Sequence, residues 1–104
     1  MTAYVIAQTT VTNQEKYQKE FLPATVRSHE AHHVEIVVRT GAIEAVAGQA
    51  PERMVILKFR DLDHARSWYQ SPEQQQALQI AKECTTGITA FLVPGFEQEP
   101  SAKK

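Results

Sequence analysis

The residues best suited to chemistry stand in one short run, His29-Glu30-Ala31-His32-His33, and in Arg39 beyond it. On a continuous helix His29, His32 and His33 fall at i, i+3 and i+4, sharing one face at metal-ligand spacing. No carboxylate or fourth ligand is fixed beside them, and the run reads equally as a solvated helix end whose basic groups complement the helix dipole. We therefore expect no metal. Neutral His29 is a candidate general base or hydrogen-bond donor, set against a structural role at the helix end. Arg39 follows three apolar positions and precedes Thr40-Gly41. In a sheet cleft such a guanidinium binds a carboxylate or an enolate; it can as easily pair with Glu35 or Glu44. Trp68 and Tyr69 are about 100° apart on a helix, so one packs on the sheet while the other lines a pocket or an oligomer contact. Ser71 is explained as a helix cap, and Cys84, with no cation nearby in sequence, reads as buried and inert. No nucleophile elbow, phosphate loop or dinucleotide fingerprint is present.

The elements that must position these residues centre on Arg53 to Glu73, RMVILKFRDLDHARSWYQSPE. Residues 54–59 form a short apolar run, with Val55, Leu57 and Phe59 on one side and Met54, Ile56 and Lys58 on the other: a central strand. Asp61 stands at an N-cap, and Leu62, Ala65, Trp68 and Tyr69 make one helical face. Ser71-Pro72 restarts a helix at a new angle, with Gln74 placed to close a capping box.

Around that stretch, residues 3–11 read as a strand, with Tyr4, Ile6 and Gln8 opposite Val5, Ala7 and Thr9. Thr12 and Glu15 read as a capping box. The helix that follows buries Tyr17, Phe21 and Ala24, and Pro23 kinks it or opens a second segment to about residue 31. Residues 34–39 alternate as strand two, with Glu35, Val37 and Arg39 on one face. Gly41 is a bulge or bend, residues 42–47 continue extended, and residues 48–52 close the hairpin. The last helix runs to about Cys84 with Ala77, Leu78, Ala81 and Cys84 inward. Gly87 ends it, and residues 88–93 make the fourth strand. The order βαββαβ is the split-βαβ, ferredoxin-like pattern: an α+β two-layer sandwich with helices on one sheet face only. The apolar residues left on the other face would not stay in water, which predicts a homodimer by sheet-to-sheet packing.

The 104 residues fit one domain over 1–96 with a polar, disordered tail over 97–104. A net charge of −1 offers no grip on nucleic acid or anionic lipid. A single Cys excludes an internal disulfide and a Cys-cluster metal site. No apolar run approaches the roughly 20 residues that span a bilayer. The N-terminus lacks a signal-peptide pattern, so a cytoplasmic location is expected.

The string LKFRDLDHARSWYQSPE, with the opening AYVIAQTTVTNQEKY and the middle VRTGAIEAVAG, resembles the domain-of-unknown-function family 1330 over about residues 3–96. The resemblance implies a ferredoxin-like fold in the dimeric α+β-barrel superfamily and no established reaction. It also implies His29, where the family often reads H-G-G and this chain has Glu30 and Ala31, and Arg39, where V-R-G-G becomes V-R-T-G. The family's SPEY-type string has Tyr where Gln74 stands. The superfamily's precedents imply oxygenation of electron-rich aromatics, isomerisation or dechlorination without a cofactor. The expected function is thus a cofactor-independent oxygenase- or isomerase-type enzyme for a small apolar or aromatic acid. His29 would be its base, Arg39 its anion stabiliser, and Tyr4, Trp68 and Tyr69 would contact the substrate. The alternative is a non-catalytic dimeric module that binds such an acid.

Overall fold

Strand β3 (Arg53–Phe59) lies inside a four-stranded antiparallel sheet ordered β2-β3-β1-β4, with β1 at Ala3–Val11, β2 at Glu35–Thr40 and β4 at Thr85–Pro94. The computed structural model describes residues 2–96, and the expected tail over 97–104 lies outside the described residues. Directly paired residues share a sheet face. Val5 opposite Leu57 and Ala3 opposite Phe59 therefore form one buried face under the helices. Ile6 opposite Ile56, and Tyr4 opposite Lys58 and Val93, form the other.

The first helical stretch has three parts: α1 (Gln14–Lys16), a π-helical segment (Tyr17–Phe21) and α2 (Leu22–Ala31). Its cap is Asn13, whose side chain accepts from Lys16 N, not the expected Thr12. The amides of Thr12 and Asn13 both donate to the carbonyl of Cys84, tying the turn before the helix to the end of α4 (Pro72–Cys84). Pro23 has no N–H for a helical bond. The widened turn before it, with Leu22 N donating to Tyr17 O, carries the chain into α2 with Pro23 in its first turn. Tyr17 and Ala24 are buried as expected, and Ser28 continues their stripe.

Helix α2 ends in a Schellman turn. Val34 N donates to His29 O, and His33 takes the left-handed conformation at φ 55° that glycine usually supplies. This turn swings His33 off the helix face, so the three histidines do not share one surface.

Strand β2 carries a bulge at Val37, between the pairs Ile36–Leu57 and Val38–Ile56. Simple alternation would place Arg39 with Glu35 and Val37. The extra residue reverses the phase and sets Arg39 opposite Val55, on the helix-facing side. Of the two expected forms Gly41 takes the bend, and the bulge lies at Val37. The segment over 42–47 is irregular instead of extended, and the whole connection to β3 spans residues 41–52.

Asp61 caps α3 (Leu62–Gln70) by accepting from His64 N at 2.8 Å. Ser71 both ends that helix and caps α4 (Pro72–Cys84), accepting from Gln74 N at 3.2 Å. The Gln74 side chain does not close a capping box; it reaches Ser28 instead. Helix α4 passes directly into β4 at Thr85. Gly87, expected to stop the helix, lies inside the strand at φ 63°, where β4 carries one extra residue opposite Gln8–Thr10. No helix among the described residues is long and apolar enough to cross a membrane.

The core joins Val5, Leu57 and Phe59 of the sheet to Ala65 and Trp68 of α3. Trp68 is 3% exposed, with its ring 5.2 Å from that of Phe59. Burying a side chain of that size contributes about 3 kcal/mol.

Candidate functional site

A cavity of about 120 Å³ lies between the helices and the helix-facing side of the sheet. Its floor is apolar, built on Val5, Val55 and Leu57, and its walls include Phe21, Leu78 and Trp68. The polar groups that reach it are few: His29, Gln74, Arg39, Arg53 and several neutral side chains, with no Asp or Glu among the lining residues.

His29 reaches the cavity from the last turn of α2, with its ring 6.1 Å from that of Trp68. Its Nδ1 is buried and has no hydrogen-bond partner among the described residues. Burial, reinforced by the positive charge of Arg39, lowers its pKa from 6.5 to about 4. The imidazole is therefore neutral at pH 7.

Arg39 arrives through the β2 bulge, and Arg53 comes from the first position of β3. Opposite Val55 and two residues before it, they are diagonal neighbours on one face of the sheet. The Arg53 guanidinium lies 5.1 Å from the centre of the Tyr17 ring, a cation–π contact that holds it in place. Among the described residues neither arginine is in an ion pair, so the expected pairing of Arg39 with Glu35 or Glu44 is not made. Glu35 sits across from Lys58 on the opposite face. Arg39 is exposed and Arg53 half-buried, and two such cations at the side of an apolar hollow are chemically able to pair with an anion.

Trp68 and Tyr69 both line the cavity: Trp68 buried in the core, Tyr69 partly exposed with its ring 6.0 Å away. Tyr4 does not line it. It stands on the other face of the sheet, because strand alternation opposes it to Val5. His32 and His33 stay out as well. His32 Nε2 meets Glu73 Oε1 at 2.9 Å, and among the described residues no three His, Cys, Asp or Glu side chains cluster to hold a metal. Cys84 is buried, and burial pushes its thiol pKa up. Ser71 is spent on its caps.

Arg53, Ser28 and Gln74 went unremarked in the sequence as site residues. Arg53 carried a signal, being in phase with Val55 and Leu57. So did Ser28, a hydroxyl on the apolar stripe of Tyr17, Phe21 and Ala24. Gln74 looked fully explained by its place beside the Ser71 cap.

Known structures repeat this architecture. A protein of unknown function from Rhodopseudomonas palustris is similar with a TM-score of 0.73 at 7% identity, covering 90% of this chain and 82% of that one. A dimeric ferredoxin-like protein of unknown function from Thermobifida fusca has a TM-score of 0.66 at 17% identity, covering 91% and 92%. SnoaB, a cofactor-independent oxygenase from Streptomyces nogalater, has a TM-score of 0.61 at 15% identity, covering 95% and 97%. At such identities the likeness shows the fold alone, which is ferredoxin-like α+β. No curated protein matches the sequence significantly. The model of the domain of unknown function DUF1330 matches residues 2–96, and this chain belongs to that family.

Proposed function

We propose that this protein is a cofactor-independent enzyme of the oxygenase or isomerase type, acting on a small apolar or aromatic acid. The observation that carries the reading is the cavity itself: an apolar hollow with a buried, unpartnered imidazole nitrogen and two arginines that lack a carboxylate partner. The anionic end of the substrate lies against Arg39 and Arg53. Its apolar body fills the space beside Trp68, Tyr69 and Leu78. His29 removes a proton from the acidic position, and the resulting enolate or phenolate is stabilised by the arginines. Return of that proton at another carbon is isomerisation; transfer of electrons from the carbanion to dioxygen begins oxygenation. A bound anion also offsets the field of Arg39 on His29, so substrate raises the basicity of its own base. That an oxygenase without cofactor shares this fold supports the reading.

The working unit in this proposal is a homodimer joined through the outer sheet faces. That face carries Tyr4, Ile6, Met54, Ile56 and Val93, all partly exposed, and Phe91 at 54% exposure. An apolar surface of this kind is the signature of a protein contact, and the Thermobifida fusca relative is described as dimeric. Tyr4 then belongs to the dimer contact.

One observation favours a second reading. A pKa of about 4 makes His29 a weak base at pH 7, which suits a module that binds an acid without transforming it. Incubation with a panel of hydroxylated benzoates, followed by oxygen uptake and product mass, separates the two. The enzyme reading expects oxygen uptake or an isomeric product that His29→Ala abolishes, with Tm kept within about 2 °C. Stabilisation by the acids without uptake or product establishes the binding module. Neither effect from any acid in the panel contradicts both.

A further inference from the structure

A buried chain of hydrogen bonds fixes how Gln74 faces the cavity. The Trp68 indole can only donate, and its Nε1–H reaches Ser28 Oγ at 2.7 Å. Ser28 thereby spends an acceptor site, and its own O–H points onward to Gln74 Oε1 at 3.1 Å. Gln74 presents its oxygen to the Ser28 hydroxyl, which turns the amide nitrogen away from it. Gln74 is 7% exposed and lines the cavity, and among the described residues its Nε2 has no hydrogen-bond partner. The amide nitrogen is open to the cavity, where a ligand or water can receive its two N–H donors.

We infer that Gln74 is a substrate-binding donor, held in register by Trp68 and Ser28, and that the acid bound here carries a second oxygen acceptor inside the cavity. The inference rests on the acid-binding reading above and narrows its substrate class. The ligand has a carboxylate or equivalent anion at Arg39 and Arg53. It also has a carbonyl, or an oxygen that becomes anionic during reaction, at Gln74. A donor aimed at that oxygen strengthens as negative charge develops on it, which is the electrostatic contribution expected beside a deprotonating His29. Ser28 and Trp68 are positioning residues: neither needs to touch the ligand's oxygen, yet both decide which end of the amide meets it.

The test uses two probes of matched shape, 4-acetylbenzoate and 4-isopropylbenzoate, whose affinities are measured by calorimetry on the full chain. The wild type is expected to prefer the acetyl compound by roughly tenfold, the value of one buried hydrogen bond. Gln74→Met is expected to erase that preference while 4-isopropylbenzoate binding stays within about twofold. Ser28→Ala, which leaves the amide free to flip, is expected to reduce the preference. A purely structural serine would change stability and leave the preference intact. Should Gln74→Met fail to fold, the Gln74 side-chain ¹⁵N–H resonances of the wild type give the same answer: they shift with 4-acetylbenzoate and not with 4-isopropylbenzoate. Equal affinity for the two probes in the wild type, or a preference that survives Gln74→Met, overturns the role of Gln74 and leaves the acid site standing. Binding of neither probe overturns the acid-binding reading and this inference with it.

Discussion

His29 and His32 leave the same end of α2 and meet opposite fates. Around His32 the polar groups find partners within the chain. Its Nε2 meets Glu73 at 2.9 Å, and its carbonyl accepts from His64 Nε2 at 2.6 Å. His64 Nδ1 in turn accepts from the Arg60 amide at 3.1 Å. This cluster ties the end of α2 to the starts of α3 and α4. Around His29 the polar groups are left open: a buried Nδ1 without a partner, two unpaired guanidinium groups and the free end of Gln74. Folding alone explains the closed cluster. Within the open one His29 Nδ1 is buried at a cost, whereas Arg39 is exposed and Arg53 is half-buried against the Tyr17 ring. Residue type therefore says little here; the presence or absence of a partner separates a structural histidine from a candidate catalytic one.

Substitutions can break this contrast or sharpen it. Trp68 belongs to both regions, as core packing and as the head of the chain through Ser28. Trp68→Ala is expected to cost about 3–5 kcal/mol in urea unfolding; a loss under about 1 kcal/mol would mean the cavity wall is not part of the core. In the closed cluster, His64→Leu strands the Arg60 amide and the His32 carbonyl. It should cost about 1–3 kcal/mol by the same measurement.

The open region shows instead in the pH dependence. His29 has a folded pKa of about 4, below the 6.5 expected when unfolded. Between those values the unfolded state binds the extra proton. The contribution of a neutral His29 is therefore complete above pH 6.5 and is lost as pH falls toward 4. His29→Leu should flatten the fall in Tm between pH 7 and 4.5. An unchanged slope would place His29 in water and end its distinction from His32. The smallest effect concerns the Schellman turn. His33→Gly removes the strain of a left-handed non-glycine residue, and should raise stability by up to about 1 kcal/mol.

Much of the scaffold was readable in the sequence because its signals are local. Asp61 and Ser71 cap the helices that start beside them, and the apolar run of β3 names its own two faces. Local signals also misled. Thr12 and Asn13 are both competent caps, and nothing local separates them; the structure uses Asn13. Gly87 can end a helix or accommodate a bulged strand, and pairing with β1 decided for the strand. The site was less readable, because long-range partners assemble it. Ser28 meets Trp68 across 40 residues and Gln74 across 46. Arg39 was found by type, but alternation grouped it with Glu35, from which a single bulged residue separates it by reversing the strand phase. Tyr4 was placed at the pocket because alternation gives two faces without saying which one the helices cover.

The central claim is that His29 is a desolvated base in an anion-receiving cavity. Its imidazole pKa, followed by NMR titration with and without saturating 4-isopropylbenzoate, tests this most directly. The account predicts a value near 4 in the free protein, rising when the carboxylate lies against Arg39 and Arg53. An ordinary value near 6.5, or a low value that the acid does not move, would contradict it.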